Sequence, residues 1–106
     1  MDWIEFVKKY KEEHPTVNGV AVHMSSLHDY FMQKANDAHM IFLSIRQEYA
    51  SMHDEIEHEA NDNNWDVSWH QEFAVFTTKP YMVKDVTEAF RQMRDDLYNK
   101  HCKRIG

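Results

Sequence analysis

From Phe31 to Ile56, apolar residues recur at alternating steps of four and three: Phe31, Ala35, Ala38, Phe42, Ile45, Tyr49, Met52 and Ile56. This is the a/d seam of a heptad helix. Leu27 extends it upstream, Ser25 and Ser26 offer N-caps, and no Gly or Pro occurs between residues 20 and 79. The spacing predicts one central helix over 27–61, ended by Asn61-Asp62-Asn63-Asn64. At 1.5 Å rise per residue it would be about 50 Å long. A domain of this size has a diameter of only about 35 Å, so a straight helix would overhang it. The chain can break near Asn36-Asp37, with Asp37 capping a second helix, or the overhang can pack on a second copy. The seam passes Asn36-Asp37 without a change of step, which favours a homodimer. Its interface would be Phe31, Ala38, Phe42, Ile45, Tyr49, Met52 and Ile56. Packing of the same face inside one chain, against the first and last helices, is the competing arrangement.

The remaining elements are shorter. Asp2 as N-cap, Glu5 three residues on, and Trp3, Phe6, Val7 and Tyr10 at helical spacing predict an amphipathic helix over 3–13, stopped by Pro15. The β-branched stretch after Pro15 predicts a strand at about 19–24. Residues 65–78 carry two patterns. Val67, Trp69, Phe73, Val75 and Thr77 have period two, interrupted at Gln71, whereas Trp65, Trp69, Phe73 and Phe76 make a helical stripe. The run Phe-Ala-Val-Phe-Thr-Thr favours a strand at about 67–77, ended by Pro80, although a helix there would make the chain all-α. Asp85 with Glu88 resembles a capping box for a last helix over about 86–103, with Val86, Phe90, Met93 and Leu97 on its dry face. Lys100, Lys103 and Arg104 suit the negative pole of that helix. The expectation is a single mainly helical α+β domain over 1–106, with a small two-stranded sheet.

Charge is the second constraint. The chain carries 18 acids and 12 bases, a net −6. Six of the acids, Asp54, Glu55, Glu57, Glu59, Asp62 and Asp66, lie in one 13-residue stretch without Lys or Arg. The rest of the chain is neutral, so the whole net charge belongs to that stretch. Acidity argues against direct nucleic-acid binding through phosphate neutralisation. The longest apolar run, Met40-Ile41-Phe42-Leu43, is far too short for a membrane span. One cysteine, Cys102, excludes an internal disulfide and a Cys-based zinc site within one chain. A lone cysteine and an N-terminus without a basic and apolar leader pattern suit the cytoplasm.

Candidate chemistry centres on His53-Asp54-Glu55-Ile56-Glu57-His58-Glu59. Glu55 and His58 form one Glu-x-x-His, the spacing of carboxylate-bridged di-iron sites, and His53 shares a face with Glu57. Such a site needs a second Glu-x-x-His, which only a second chain could supply, with Glu48 one heptad upstream. A metal-dependent helical enzyme or sensor using His53, Glu55 and His58 is therefore the alternative reading. The His-Asp pairs His28-Asp29 and His53-Asp54 lack the other residues a phosphohydrolase needs. Glu55 and Glu59 lack a second acid pair of the same spacing, since Asp95 and Asp96 are adjacent. Cys102, beside His101, Lys103 and Arg104, is a poor nucleophile candidate at a chain end, and no Gly-x-Ser-x-Gly elbow or phosphate loop exists. No cofactor is implied.

The acidic stretch itself favours binding over catalysis. Acids near a helix C-terminus oppose its dipole, at about 0.3–1 kcal/mol each when exposed. A cost concentrated at one place points to a positively charged partner. The expected function is a small adaptor or inhibitor that docks on a basic protein surface, including a groove that otherwise holds nucleic acid. Asp54, Glu55, Glu57, Glu59 and Asp62 would make the contact, with Trp65 or Trp69 as anchor and Tyr81 beyond. Small size and acidity also suit accessory inhibitors carried by phages and mobile elements, an analogy of type rather than a sequence match. A solubilising helix end is the bland counterpart. In another the basic tail Lys100–Arg104 pairs with the acids, and in a third the histidines make a pH-responsive oligomer.

Overall fold

The computed structural model describes residues 2–78 and 82–105, with side chains as far as Tyr98. Pro80, Tyr81 and the side chains of Lys100, His101, Cys102, Lys103 and Arg104 lie outside the described residues. The order is α1 (Trp3–Glu13), β1 (Gly19–His23), α2 (Met24–Asp37), α3 (Ile45–Asp62), β2 (Trp65–Trp69), β3 (Phe73–Thr78) and α4 (Val83–Ile105). The domain is α+β and mainly helical, with four helices and a three-stranded antiparallel sheet.

The single 27–61 helix is overturned. It breaks after Asp37, and its two halves are separate helices. The break is a Schellman motif: Met40 N–H bonds the Ala35 carbonyl at 2.9 Å, His39 N–H bonds Asn36 at 3.1 Å, and His39 sits at φ 56°. The restart is a capping arrangement in Ser44-Ile45-Arg46-Gln47. Ser44 Oγ accepts from Gln47 N–H at 3.1 Å, and Gln47 Oε1 accepts from Leu43 N–H at 2.7 Å. The physical reason for the break is sheet size. Strands of five or six residues span roughly 17–20 Å, which a helix of 14 residues, roughly 21 Å long, already covers. A straight continuation would leave the core, whereas turning back brings Met52, Ile56 and Ala60 onto it, all of them fully buried.

The two-stranded sheet is also corrected. The interruption at Gln71 is a hairpin turn, closed by His70 N–H on the Phe73 carbonyl at 2.8 Å, so one expected strand is two. The sheet order is β1-β3-β2. Central β3 pairs Val20 with Phe76 on one side and Val67 with the same Phe76 on the other. Ala74, Val75, Phe76 and Thr77 are all buried, because both faces of β3 are covered. Phe76 joins Trp3, Leu27, Phe31, Met52 and Ile56 in the main core. Val75 joins Val86 and Ala89 of α4 in a second, smaller one. Trp3 stacks on Phe76 at 4.4 Å.

Asp2 caps α1 as expected, its Oδ1 accepting from Glu5 N–H at 2.9 Å. Asp85 does not cap α4. The helix starts two residues earlier, and the Asp85 carboxylate is buried, with Oδ1 3.4 Å from the Asn18 amide that donates to it. No helix among the described residues is long and apolar enough to cross a membrane.

Candidate functional site

The six acids between Asp54 and Asp66 do not form one continuous surface. Glu55 and Glu59 face α2, where Lys34 Nζ donates to Glu59 Oε1 at 2.7 Å and to Glu55 Oε1 at 3.1 Å. Tyr30 also donates its hydroxyl to Glu59, at 2.7 Å. The hydrogen bond to Glu59 raises the Lys34 ammonium above its ordinary pKa, against the opposing effect of burial and with further help from Glu55. Burial, then the hydrogen bond to Glu59, pushes the Tyr30 phenol up to about 12. Lys34 was not part of the sequence reading. It lies outside the acidic stretch by 20 residues, and only the return of α3 along α2 brings it there.

Glu57 points to the other side of α3, accepting from Trp69 Nε1 at 2.8 Å. The His53 ring lies flat on Trp69, with 3.9 Å between centroids and 11° between planes. Outward lie Asp54, His58 and Asp62, all exposed, with His58 Nε2 3.7 Å from Asp62 Oδ2. Asp66 is half-buried on β2. Trp65, one of the two expected anchors, is only 7% exposed and belongs to the core. Lys11 Nζ stands 5.4 Å over its ring. Trp69 is half-buried.

His53, Glu55 and His58 are pulled to three different neighbours: Trp69, Lys34 and Asp62. Among the described residues no group of three or more His, Cys, Asp or Glu side chains is placed to hold a metal ion.

The seam residues divide in the same way. Phe31, Met52 and Ile56 are buried within their own chain, and Phe42 is half-buried against Phe31 at 5.7 Å. Ala38, Ile45 and Tyr49 are exposed. The α2–α3 connector adds further exposed apolar side chains, Ile41 at 84% and Leu43 at 89%, next in sequence to Ile45 at 71%. Tyr49 follows Ile45 by one helical turn and lies 6.1 Å from the His28 ring, while His28 Nε2 is 3.0 Å from Glu48.

A cleft of about 740 Å³ opens elsewhere, between α1, α2, α4 and the neighbouring strands. Its walls include Phe6, Tyr10, Tyr30 and Phe73, and three carboxylates line it: Asp2, Asp29 and Asp96. Tyr10 donates to Asp96 Oδ2 at 2.6 Å, and Gln92 donates to Oδ1 at 2.9 Å. Burial raises the Asp96 carboxyl, but the bonds from Tyr10 and Gln92, with His14 nearby, outweigh it and hold the group below its ordinary range. No sequence signal marked this cleft, because its residues come from five elements spread from Asp2 to Leu97. No protein-family model matches the chain, and neither the curated proteins nor the solved structures yield a match.

Proposed function

We propose that this chain is a small protein-binding adaptor or inhibitor that docks through the α2–α3 connector, with the outward acids of α3 steering it to a basic partner surface. The observation that carries the reading is the run of exposed large apolar side chains at Ile41, Leu43 and Ile45. Large apolar side chains exposed so close together in sequence support an interaction surface there. Full burial of one such side chain contributes about 1.5–3 kcal/mol, so the three together offset only part of the cost of association. A partner with an apolar pocket rimmed by Lys and Arg adds the rest. Asp54 and Asp62 would speed the encounter and set specificity more than affinity. Relative to the sequence expectation of Trp65 or Trp69, the anchor moves to the connector. Glu55, Glu57 and Glu59, each held by a neighbour in its own chain, become supports of the helix that presents the site.

A second copy of the chain is the other occupant, favoured by the exposure of Ile45 and Tyr49 on the heptad seam. One experiment separates the two. A photo-crosslinking residue replaces Leu43 in the full chain, and another replaces exposed Lys9 as control. Light scattering of the purified protein is run alongside. A crosslink from position 43 but not position 9 to one protein, weakened by Asp54→Lys with Asp62→Lys, supports the reading. Crosslinking to the chain itself with a dimer mass supports the second copy. Equal crosslinking from both positions rejects the connector as a site.

A further inference from the structure

We propose that the cleft between α1, α2 and α4 is a binding site for a small organic cation: an ammonium group carried on an aromatic apolar body. The site shares no residue with the connector. Its volume of about 740 Å³ suits a small ligand. The rings of Phe6, Tyr10, Tyr30 and Phe73 give it walls that take an aromatic body and attract a cation to their faces.

Charge selects among ligands of that shape. Asp2, Asp29 and Asp96 line the cleft, and no Lys or Arg stands among its described lining residues. His23, Ser26 and Gln33 also line the cleft, with His23 Nδ1 engaged by Ser25, so the three carboxylates set its charge: they repel an anion, and a neutral guest would leave them without counter-charge. The three carboxylates are not equivalent. Asp2 Oδ1 is occupied by the N–H of Glu5, and both oxygens of Asp96 accept from Tyr10 and Gln92. These two act as fixed negative charges. Asp29 is exposed on α2 and is the carboxylate available to accept directly from an ammonium group. The phenols favour a donor as well. The Tyr10 hydroxyl donates its hydrogen bond to Asp96 and the Tyr30 hydroxyl to Glu59, so their oxygens can present only acceptor lone pairs to a guest.

The test uses the full chain and three probes of one shape at pH 7: phenethylamine, 2-phenylethanol and 3-phenylpropionate. Affinity is read by calorimetry and location by two-dimensional NMR. The amine is expected to bind about tenfold or more tighter than the alcohol, with the carboxylate weakest, and to lose affinity as salt rises. Shifts should centre on Phe6, Tyr10, Asp29 and Tyr30. Asp29→Asn, a surface change whose folding the same spectra verify, should weaken the amine about tenfold and leave the alcohol unchanged. An alcohol that binds as well as the amine overturns the proposal, as does a carboxylate that does so, shifts centred elsewhere, or no binding of the amine. A short lysine-containing peptide that displaces the amine and binds more tightly overturns it in favour of a polypeptide ligand.

Discussion

Lys34 Nζ of α2 lies 2.7 Å from Glu59 Oε1 of α3, and the same oxygen takes the hydroxyl of Tyr30 at 2.7 Å. The Glu59 side chain is 14% exposed, and its second oxygen is buried with no hydrogen-bond partner among the described residues. This one carboxylate therefore joins the two helices that the long seam would have kept as one. Lys34 thereby pairs with two of the six clustered acids, since Glu55 shares the same ammonium.

Lys34→Ala should destabilise the fold by about 1–2 kcal/mol, measured as a lower urea midpoint at unchanged slope. The bond is charge-assisted, but the lysine is half-exposed, so the upper end of the usual range does not apply. Folding raises the pKa of both Lys34 and Tyr30, so the folded state holds their protons more tightly. That contribution is complete below about pH 10; Tyr30's share is lost as pH rises from 10 through about 12, and Lys34's share is lost at still higher pH. The alkaline fall in stability should be shallower in Lys34→Ala, where Tyr30 remains. An identical fall in both proteins counts against the lysine's share.

Lys11 has the opposite character. Its ammonium is buried without a hydrogen-bond partner among the described residues, and burial lowers its pKa. Lys11→Met keeps the stem and removes the charge. It should stabilise the protein by about 1 kcal/mol at pH 7, because an unpaired charge costs more than its contact with Trp65 returns. The unfolded chain binds this proton more tightly, so the natural protein should recover stability as pH rises toward 10.5, and Lys11→Met should lack that recovery. Thermal melts across pH 7–10 decide it.

His39 holds the left-handed position that ends α2, where glycine is at ease. His39→Gly should raise stability by about 0.5–1 kcal/mol. Ser44→Ala, which removes the cap of α3, should lower it by about 1 kcal/mol. Reversal of either sign in denaturant titrations would mean that the break is not held by these caps.

Gly19 pairs with Thr77 where α4 crosses the sheet. A Cβ there would stand 2.9 Å from the Asp85 carbonyl oxygen and 3.2 Å from Ala89 Cβ. The first neighbour is backbone, so it cannot swing away. Gly19→Ala should cost about 1–3 kcal/mol, read as a lower melting temperature, with loss of the packing of Val75 on Val86 and Ala89 visible by NMR. An unshifted melt would mean that α4 is free to move off the sheet.

Local chemistry made α1 legible from Asp2 to its end, since its cap and apolar stripe lie within a few residues of each other. It also marked the break in the central helix, although the heptad spacing masked it. Ser44 with Gln47 is a start signal, but no glycine stood at His39 to announce the stop. The hairpin showed only as a missed beat at Gln71. Of the candidate site, the apolar connector was visible as the run Met40–Leu43, while its exposure was not, because a run of this kind is equally at home in a core.

The sequence by itself determined which segments are apolar on one side, that the domain mixes helices with strands, and that all net charge originates between Asp54 and Asp66. These are properties of neighbours along the chain. The tertiary structure decided that the seam turns back on itself, that Trp65 is core rather than anchor, and that Lys34 neutralises acids 21 and 25 positions away. It decided these because a sheet of short strands can cover only a short helix. Once the helix must fold back, each face of α3 finds a partner that sequence spacing cannot name.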